Sequence, residues 1–510
     1  MTATATPPAR LEPRTRLGLE ILAVGLGSGV VGDLLLRAMP WGLNVAICTA
    51  VLVGAGAWLV RRHHLETGPD AAWLAITALL LGAAFVRRDA ETLVAFDALA
   101  LVLTLALAAA SLQREWVSHW CVWDYIRGVV TAAAGSVIGG LILVGSDIKW
   151  RELPQDGRFR HLRAALLGGI VALPLLIVFA ALFASADQVF GNVLNNLLAF
   201  DLNAVVTHTF FTCFWAALVA GYLRWGMLGR PLTGFAPEIK TPSTIVPLAT
   251  VLGSLNALFL LFVVVQLRYF FGGASVVEET SGLTYAEYAR KGFFELVTAS
   301  GLVLPVLLGA DALVRRGTPA QLRLFRQLAG LLLSLLVVIM ASALGRMRLY
   351  VAEFGLSADR LYATAFMLLL IGVFAWFAWT VLRGTRQRFA FGALMQAFAV
   401  LAGLHLLNPD AFIVKTNFNR PVAERPFDAK YAVSLSADAV PVLIDALPRL
   451  SAADRCVVVR GLLSRWSGAV QPDWRTWNSS RARARSVVRS QADALKTSCN
   501  AQPKEQQNDH

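Results

Sequence analysis

Long apolar stretches separated by short polar ones recur from Leu17 to Leu407. Read in windows of about 19 residues, they fall near 17–38, 41–60, 71–86, 93–111, 126–145, 162–184, 203–223, 245–270, 293–314, 328–350, 360–382 and 390–407. A hydrocarbon core about 30 Å thick is crossed by about 20 mostly apolar helical residues, and segments such as 162–184 and 361–382 have that length. In lipid the backbone must satisfy its own hydrogen bonds, so the pattern predicts an all-α, polytopic transmembrane helix bundle of about twelve spans. The first segment carries Glu20 and Asp33, the fourth carries Asp97, and the third is short. One or two of these are expected to re-enter the membrane or not to span it.

The flanks differ in kind. Residues 1–16 read as an N-terminal tail, 17–407 as the bundle, 408–490 as a small soluble helical domain and 491–510 as a disordered polar tail. Within the domain, Ser451-Ala-Ala-Asp454 has the form of a helix-capping start, and Ser436-Ala-Asp438 precedes a second apolar-periodic stretch, Val440 to Leu450.

Composition excludes a soluble globule: 56% of residues are hydrophobic and 15% charged, against roughly 25% charged in ordinary soluble domains. The net charge of +13 lies mostly in loops and the C-terminal region, which points to anionic lipid headgroups. No aromatic-basic nucleic-acid module is visible, so the lipid bilayer, and not nucleic acid, is the expected partner. Basic loops should face the cytoplasm, and Arg224, Arg230 and Lys240, then Arg315, Arg316 and Arg323, then Arg383, Arg386 and Arg388 alternate with basic-poor loops at 185–202 and 272–284. That parity places the C-terminal domain outside. Arg10, Arg14 and Arg16 favour an internal N-terminus, which twelve full crossings cannot join to an external C-terminus. The span count is therefore expected to be wrong by one.

Little in the chain resembles a metal or cofactor site, and neither is expected. His63, His64, His119, His208 and His405 lack a Cys, His or carboxylate at ligand spacing and read as structural. Cys48, Cys121 and Cys213 lie in or beside spans and read as small hydrophobes. Cys456 and Cys499 both fall in the C-terminal region, where a disulfide is one outcome in an oxidising compartment. Gly27-Ser28-Gly29-Val30-Val31-Gly32 matches the dinucleotide-binding pattern, but inside an apolar helix the small residues at Gly25 and Gly29 read as helix packing. Asn478-Ser479-Ser480 fits the glycosylation triplet, and Arg481, Arg483, Arg485 and Arg489 read mainly as solubilising charge.

Three clusters combine charge with an apolar setting. Glu287, Lys291 and Glu295 recur every four residues beside Arg290 and share one helical face; Glu295 enters an apolar run, where a carboxylate is costly unless paired or wetted. Arg346, Tyr350 and Glu353 share a face of the next cluster, with Arg348 and Arg360 nearby, Gly355 ending one helix and Ser357 placed to cap another. Arg346 or Arg348 paired with Glu353 or Glu295 would make a polar site between helices. In the third, Asn408-Pro409-Asp410 forms a turn leading out of the last span.

The run Tyr-Ala-Arg-Lys-Gly-Phe-Phe-Glu-Leu at 288–296, Phe-Gly-Leu-Ser-x-x-Arg-Leu-Tyr at 354–362, Asn-Pro-Asp at 408 and Leu-Ser-Ala-Asp-Ala-Val-Pro at 435–441 together resemble the bacterial polytopic membrane proteins called domain of unknown function 4173, related to 4153. The likeness covers about residues 170–450 and implies a multi-span protein of the bacterial cytoplasmic membrane with a small soluble end. It brings no activity, substrate or cofactor. It carries over to Tyr288, Arg290, Gly292, Glu295, Gly355, Arg360, Asn408, Asp410 and Asp438, with no role attached to any of them.

Three functions fit. The first is a transporter-like or permease-like protein whose intramembrane charges Glu20, Asp33, Asp97, Glu295 and Arg346 form a polar path. The second is a non-enzymatic scaffold or envelope sensor binding a protein partner through 408–490. The third is a lipid-linked group transferase, which would need external acidic residues such as Asp33 or the Asp89 and Glu91 pair.

Overall fold

The computed structural model describes residues 12–152, 202–229, 245–281, 293–315, 317–420, 427–468 and 473–500, with scattered positions between 168 and 191. Its long helices are α1 (Pro13–Leu36), α2 (Leu43–Arg62), α3 (Ala71–Arg87), α4 (Glu91–Leu112), α5 (Val122–Ile142, continued by a π turn at Leu143–Asp147), α6 (Leu202–Leu228), α7 (Val246–Ser281), α8 (Phe293–Val314), α9 (Pro319–Phe354), α10 (Ala358–Thr380) and α11 (Phe389–Leu407). Ten of these are long and apolar enough to cross a membrane, and α3 is a shorter apolar helix. Eleven of the 23 residues of 162–184 lie outside the described residues.

The bundle has two ends, defined by what bonds to what. At one, Arg475 donates to Leu34 O at the end of α1, Trp477 O accepts from Leu43 N–H at the start of α2, and Asn478 donates to Phe85 O near the end of α3. At the other, Arg62 and His63 reach Glu20, Gln113 donates to Trp225 O, and Arg386 binds Asp311. The C-terminal domain sits on the first end.

Helix α5 covers the expected crossing at 126–145 and is long and apolar enough to be one, but both of its flanks are anchored at one end of the bundle. The segment before it is fixed by Ser118, whose N–H and hydroxyl donate to Asp70 just ahead of α3, and its far end is fixed by Asp147, 2.7 Å from Arg14 and 2.6 Å from Arg224. Both anchors lie at the end away from the C-terminal domain. The helix starts and finishes on one side, crossing α6 where a Cβ on Gly139 would lie 2.8 Å from Gly221 O. Apolar composition reports contact with lipid and carries no direction, so sequence alone counts such a helix as a span.

Small residues bring α1 against α6: a Cβ on Gly25 would lie 2.8 Å from Ala220 Cβ, and one on Gly29 2.5 Å from Thr212 O. Close backbone approach gives dispersion contacts in a medium where apolar surface gains nothing from burial. The glycine-rich run packs helices, as its setting predicts.

The domain contains α12 (Pro409–Phe418), α13 (Ala429–Ser434), α14 (Val440–Ala446), α15 (Ala452–Trp466), α16 (Ser479–Ser490) and α17 (Ala492–Asn500). Ile413, Val414, Leu443, Val458, Leu462 and Val488 form its core, which continues into Leu356 and Leu361 of the bundle. Ser451 accepts from Asp454 N–H and starts α15, as its spacing predicts. Ser357 precedes α10 but makes no capping bond through its side chain. Cys456 and Cys499 form a disulfide joining α15 to α17. Residues 492–500 are therefore helical and tied down, with Leu495 buried, where a disordered tail was expected.

Candidate functional site at the bundle and domain junction

The α3–α4 turn, Arg88-Asp89-Ala90, projects polar groups into the seam beneath the domain. Arg88 donates through Nε and Nη2 to His405 O at 3.1 and 2.7 Å, and Nη1 lies 3.3 Å from Asp438 Oδ1. Asp438 is 5% exposed; Oδ2 accepts from Asp89 N–H at 2.7 Å and Oδ1 from the Ser480 hydroxyl at 2.6 Å. Asp89 in turn pairs with Arg481, which is 6% exposed and also donates to Trp41 O at 2.9 Å and Thr476 O at 2.6 Å. Asp410, 5% exposed, accepts from Ser436 N–H at 2.9 Å.

Three carboxylates thus share the seam with two guanidiniums. Burial pushes the Asp89 carboxyl above its ordinary range while Arg481 pulls it back. Burial raises Asp410 too; Ser436 opposes this, and the charge of Asp438 adds to it.

Deeper in the bundle lies Asp97, with no exposed surface and its Oδ1 2.8 Å from His405 Nε2. Asp97 is six residues along α4 from Glu91, about 9 Å into the bundle. Tyr362 packs edge-on against Phe96, its hydroxyl buried and acted on by the charges of Asp410, Asp438 and Asp97. The groups form an electrostatically connected column from the domain seam into the spans.

Among the described residues two other acid–histidine pairs occur in the bundle. His63 Nε2 lies 3.0 Å from Glu20 Oε2, and His208 Nδ1 lies 2.5 Å from Asp33 Oδ2. The histidines show no ligand spacing in sequence because their carboxylates come from other helices. Among the described residues no group of three or more His, Cys, Asp or Glu could hold a metal ion.

The residues singled out from sequence are dispersed. Glu287 and Arg290 lie outside the described residues. Glu295 is exposed in the first turn of α8, Arg346 is half-buried and Arg348 exposed on α9, and the Glu353 carbonyl accepts from Arg420 at 3.3 Å. Arg360 stacks on the Tyr350 ring, 3.9 Å from its centroid, and donates to Gly355 O. Asn408 takes a left-handed conformation ending α11, its N–H donating to Leu404 O. Asp410 alone of these joins the seam. Arg88, Ser480 and Arg481 were not expected there. Of the other seam residues, Asp438 carried a sequence signal as part of the Leu-Ser-Ala-Asp-Ala-Val-Pro run, and Asp89 one as part of the acidic pair a transferase would need. Asn478 is buried, donating to Phe85 O and Arg88 O and capping α16, which removes it as a glycosylation site.

The family model for a domain of unknown function, DUF4153, matches residues 75–446. The chain belongs to the DUF4153 family. The sequence resemblance named family 4173 with 4153 as its relative, and 4153 is the one matched. The DUF4153 match takes in α4, α11, Asp97, His405, Asp410 and Asp438, but ends before Arg481. No curated protein and no solved structure matches the chain.

Proposed function

We propose that this multi-pass membrane protein is a proton-coupled, permease-like carrier whose C-terminal domain caps the outer end of the bundle. The observation that carries the reading is the Asp97–His405 pair: a carboxylate without exposed surface, inside an apolar helix, facing the one side chain whose ordinary pKa lies near neutrality. Ionisable groups in spans are expensive in lipid and mark proton relays and substrate paths. In this reading Asp97 and His405 exchange a proton as the seam opens, and Tyr362 and Asp410 link them to the outer surface. A pH step across proteoliposomes should drive proton entry through the wild type and not through Asp97→Asn.

Orientation supports the reading. Among the described helix ends, the end of the bundle away from the domain carries Arg14, Arg16, Arg61, Arg62, Arg224, Arg315, Arg323, Arg326, Arg383, Arg386 and Arg388, against Arg37, Arg87, Arg88, Arg346, Arg348 and Arg360 at the domain end. With the more basic end taken to face the cytoplasm, this reading has the domain outside the membrane, in a compartment where a Cys456–Cys499 disulfide would persist. In this reading α5 is not a crossing, and the changed parity is compatible with an internal N-terminus and an external C-terminus.

A second reading, an envelope sensor with a protein partner on residues 408–490, is favoured by Arg88, which bonds the His405 carbonyl and Asp438 at once and so couples the spans to the domain. Cross-linking from the domain in intact cells tests it, a reproducible partner lost on Arg88→Ala being its expected outcome. Asp89, the residue a transferase would need, is held here by Arg481 and Ala437 N–H.

A further inference from the structure

A cleft of about 290 Å³ opens at the end of the bundle opposite the domain, between α2, α3, α4 and α6. Its walls are kept apart by small side chains, Gly56 and Ala57 on α2, Ala71 and Ala75 on α3, and Ala108 on α4. Its inner part is closed by Leu52, Ala78, Leu105 and Tyr222. Tyr222 leaves no polar demand there, because its hydroxyl donates to Leu105 O at 2.9 Å. Among the described residues the one charged side chain lining the cleft is Arg61, at the basic end of α2. Its neighbour Arg62 pairs with Glu20, whereas Arg61 is exposed and has no ion-pair partner among the described residues.

Length and charge identify an occupant. Leu52 and Arg61 are nine residues apart on one helix, about 14 Å, close to the roughly 15 Å of one leaflet of a bilayer core about 30 Å thick. An apolar slot one leaflet deep with a free guanidinium at its headgroup end is complementary to a single acyl chain joined to an anionic phosphate.

We infer that this cleft is a resident binding site for an anionic phospholipid, one acyl chain lying between α2 and α6 and the phosphate on Arg61. The site is independent of the proton-carrier reading, since it uses neither Asp97 nor His405. Its walls belong to α2, α3, α4 and α6, so a bound lipid ties these helices together at the end of the bundle away from the domain.

Native mass spectrometry of the delipidated full chain, titrated with phosphatidylglycerol or phosphatidylcholine of matched chains, tests the site. The wild type should retain phosphatidylglycerol about fivefold more strongly, the preference expected of one cation facing an anionic headgroup. Arg61→Gln should bind both lipids alike, Arg61→Lys should keep the preference, and Ala75→Phe, or Ala72→Leu at a further lining residue of α3, should weaken both by narrowing the slot. Glycerol phosphate without chains should not bind. Equal retention of the two lipids by the wild type, an undiminished preference in Arg61→Gln, or undiminished binding in both cleft-filling variants would overturn it. The Asp97→Asn variant should bind lipid as the wild type does, which separates failure of this site from failure of the proton-carrier reading.

Discussion

Arg88 and Asp438 are 350 residues apart in sequence, and Arg88 Nη1 lies 3.3 Å from Asp438 Oδ1 beneath the C-terminal domain. The same guanidinium holds the last turn of α11 through the His405 carbonyl. One side chain therefore bonds both the domain and the helix that carries the intramembrane histidine.

Arg481→Ala leaves Asp89 buried without its cation. Breaking one partner of a buried pair typically costs about 3–5 kcal/mol, and Asp89 lowers that figure by taking up a proton. We expect a fall in the melting temperature of the solubilised protein and faster proteolysis at the seam. Arg481→Lys should recover part of the loss, since a lysine keeps the charge but cannot reach Asp89, Trp41 O and Thr476 O together.

Asp410 sets a pH dependence of opposite sign to that of a salt-bridged acid. Burial first, then Asp438, raises its folded pKa above the ordinary 3.8, so the folded state binds the extra proton. Its contribution is greatest below about pH 3.9 and falls as pH rises from there through the raised value. Melting followed from pH 4 to 8 should show the decline in the wild type and a flatter profile in Asp410→Asn, which still accepts from Ser436 N–H. An unchanged slope in the variant would assign the decline to other groups.

Much of the bundle was legible in the sequence because the constraint is local: a helix that spans lipid must be apolar along its length. The seam was not, because it joins a turn at 88–90 to residues beyond 430 and depends on which ends coincide. Arg481 looked like one of four solubilising arginines, and only the fold shows that its side chain is buried while Arg483 remains exposed. His405 and Asp97 were both visible as polar residues in spans, yet nothing in a separation of 308 residues marks them as a pair. The direction of α5 was hidden for the same reason, since its two anchors, Asp70 and Arg14, lie in other helices or their flanks.

Glycine substitutions in α1 should separate packing from mere apolarity. Gly29→Leu drives a side chain into the α6 backbone and should destabilise by about 1–3 kcal/mol, the usual range for overpacking. Gly27, with nothing within 4 Å of its Cβ position, should accept leucine with little change. Thermal denaturation of the two variants in the same detergent distinguishes them.

The Cys456–Cys499 bond closes 43 residues of chain, and removing a link of this kind typically costs about 2–4 kcal/mol. Cys456→Ser should lower the melting temperature of oxidised protein and leave reduced protein unchanged. Alkylation of protein taken directly from cells should leave both thiols unmodified until a reductant is added.

Proton flux through the Asp97–His405 pair tests the account most directly. In proteoliposomes carrying an internal pH dye, an imposed pH gradient should drive internal acidification with the wild type. The signal should fall to the protein-free rate in both Asp97→Asn and His405→Gln, while Gly27→Leu, remote from the pair, keeps it. Wild-type acidification no faster than protein-free vesicles, or full activity in either paired variant, would contradict the account.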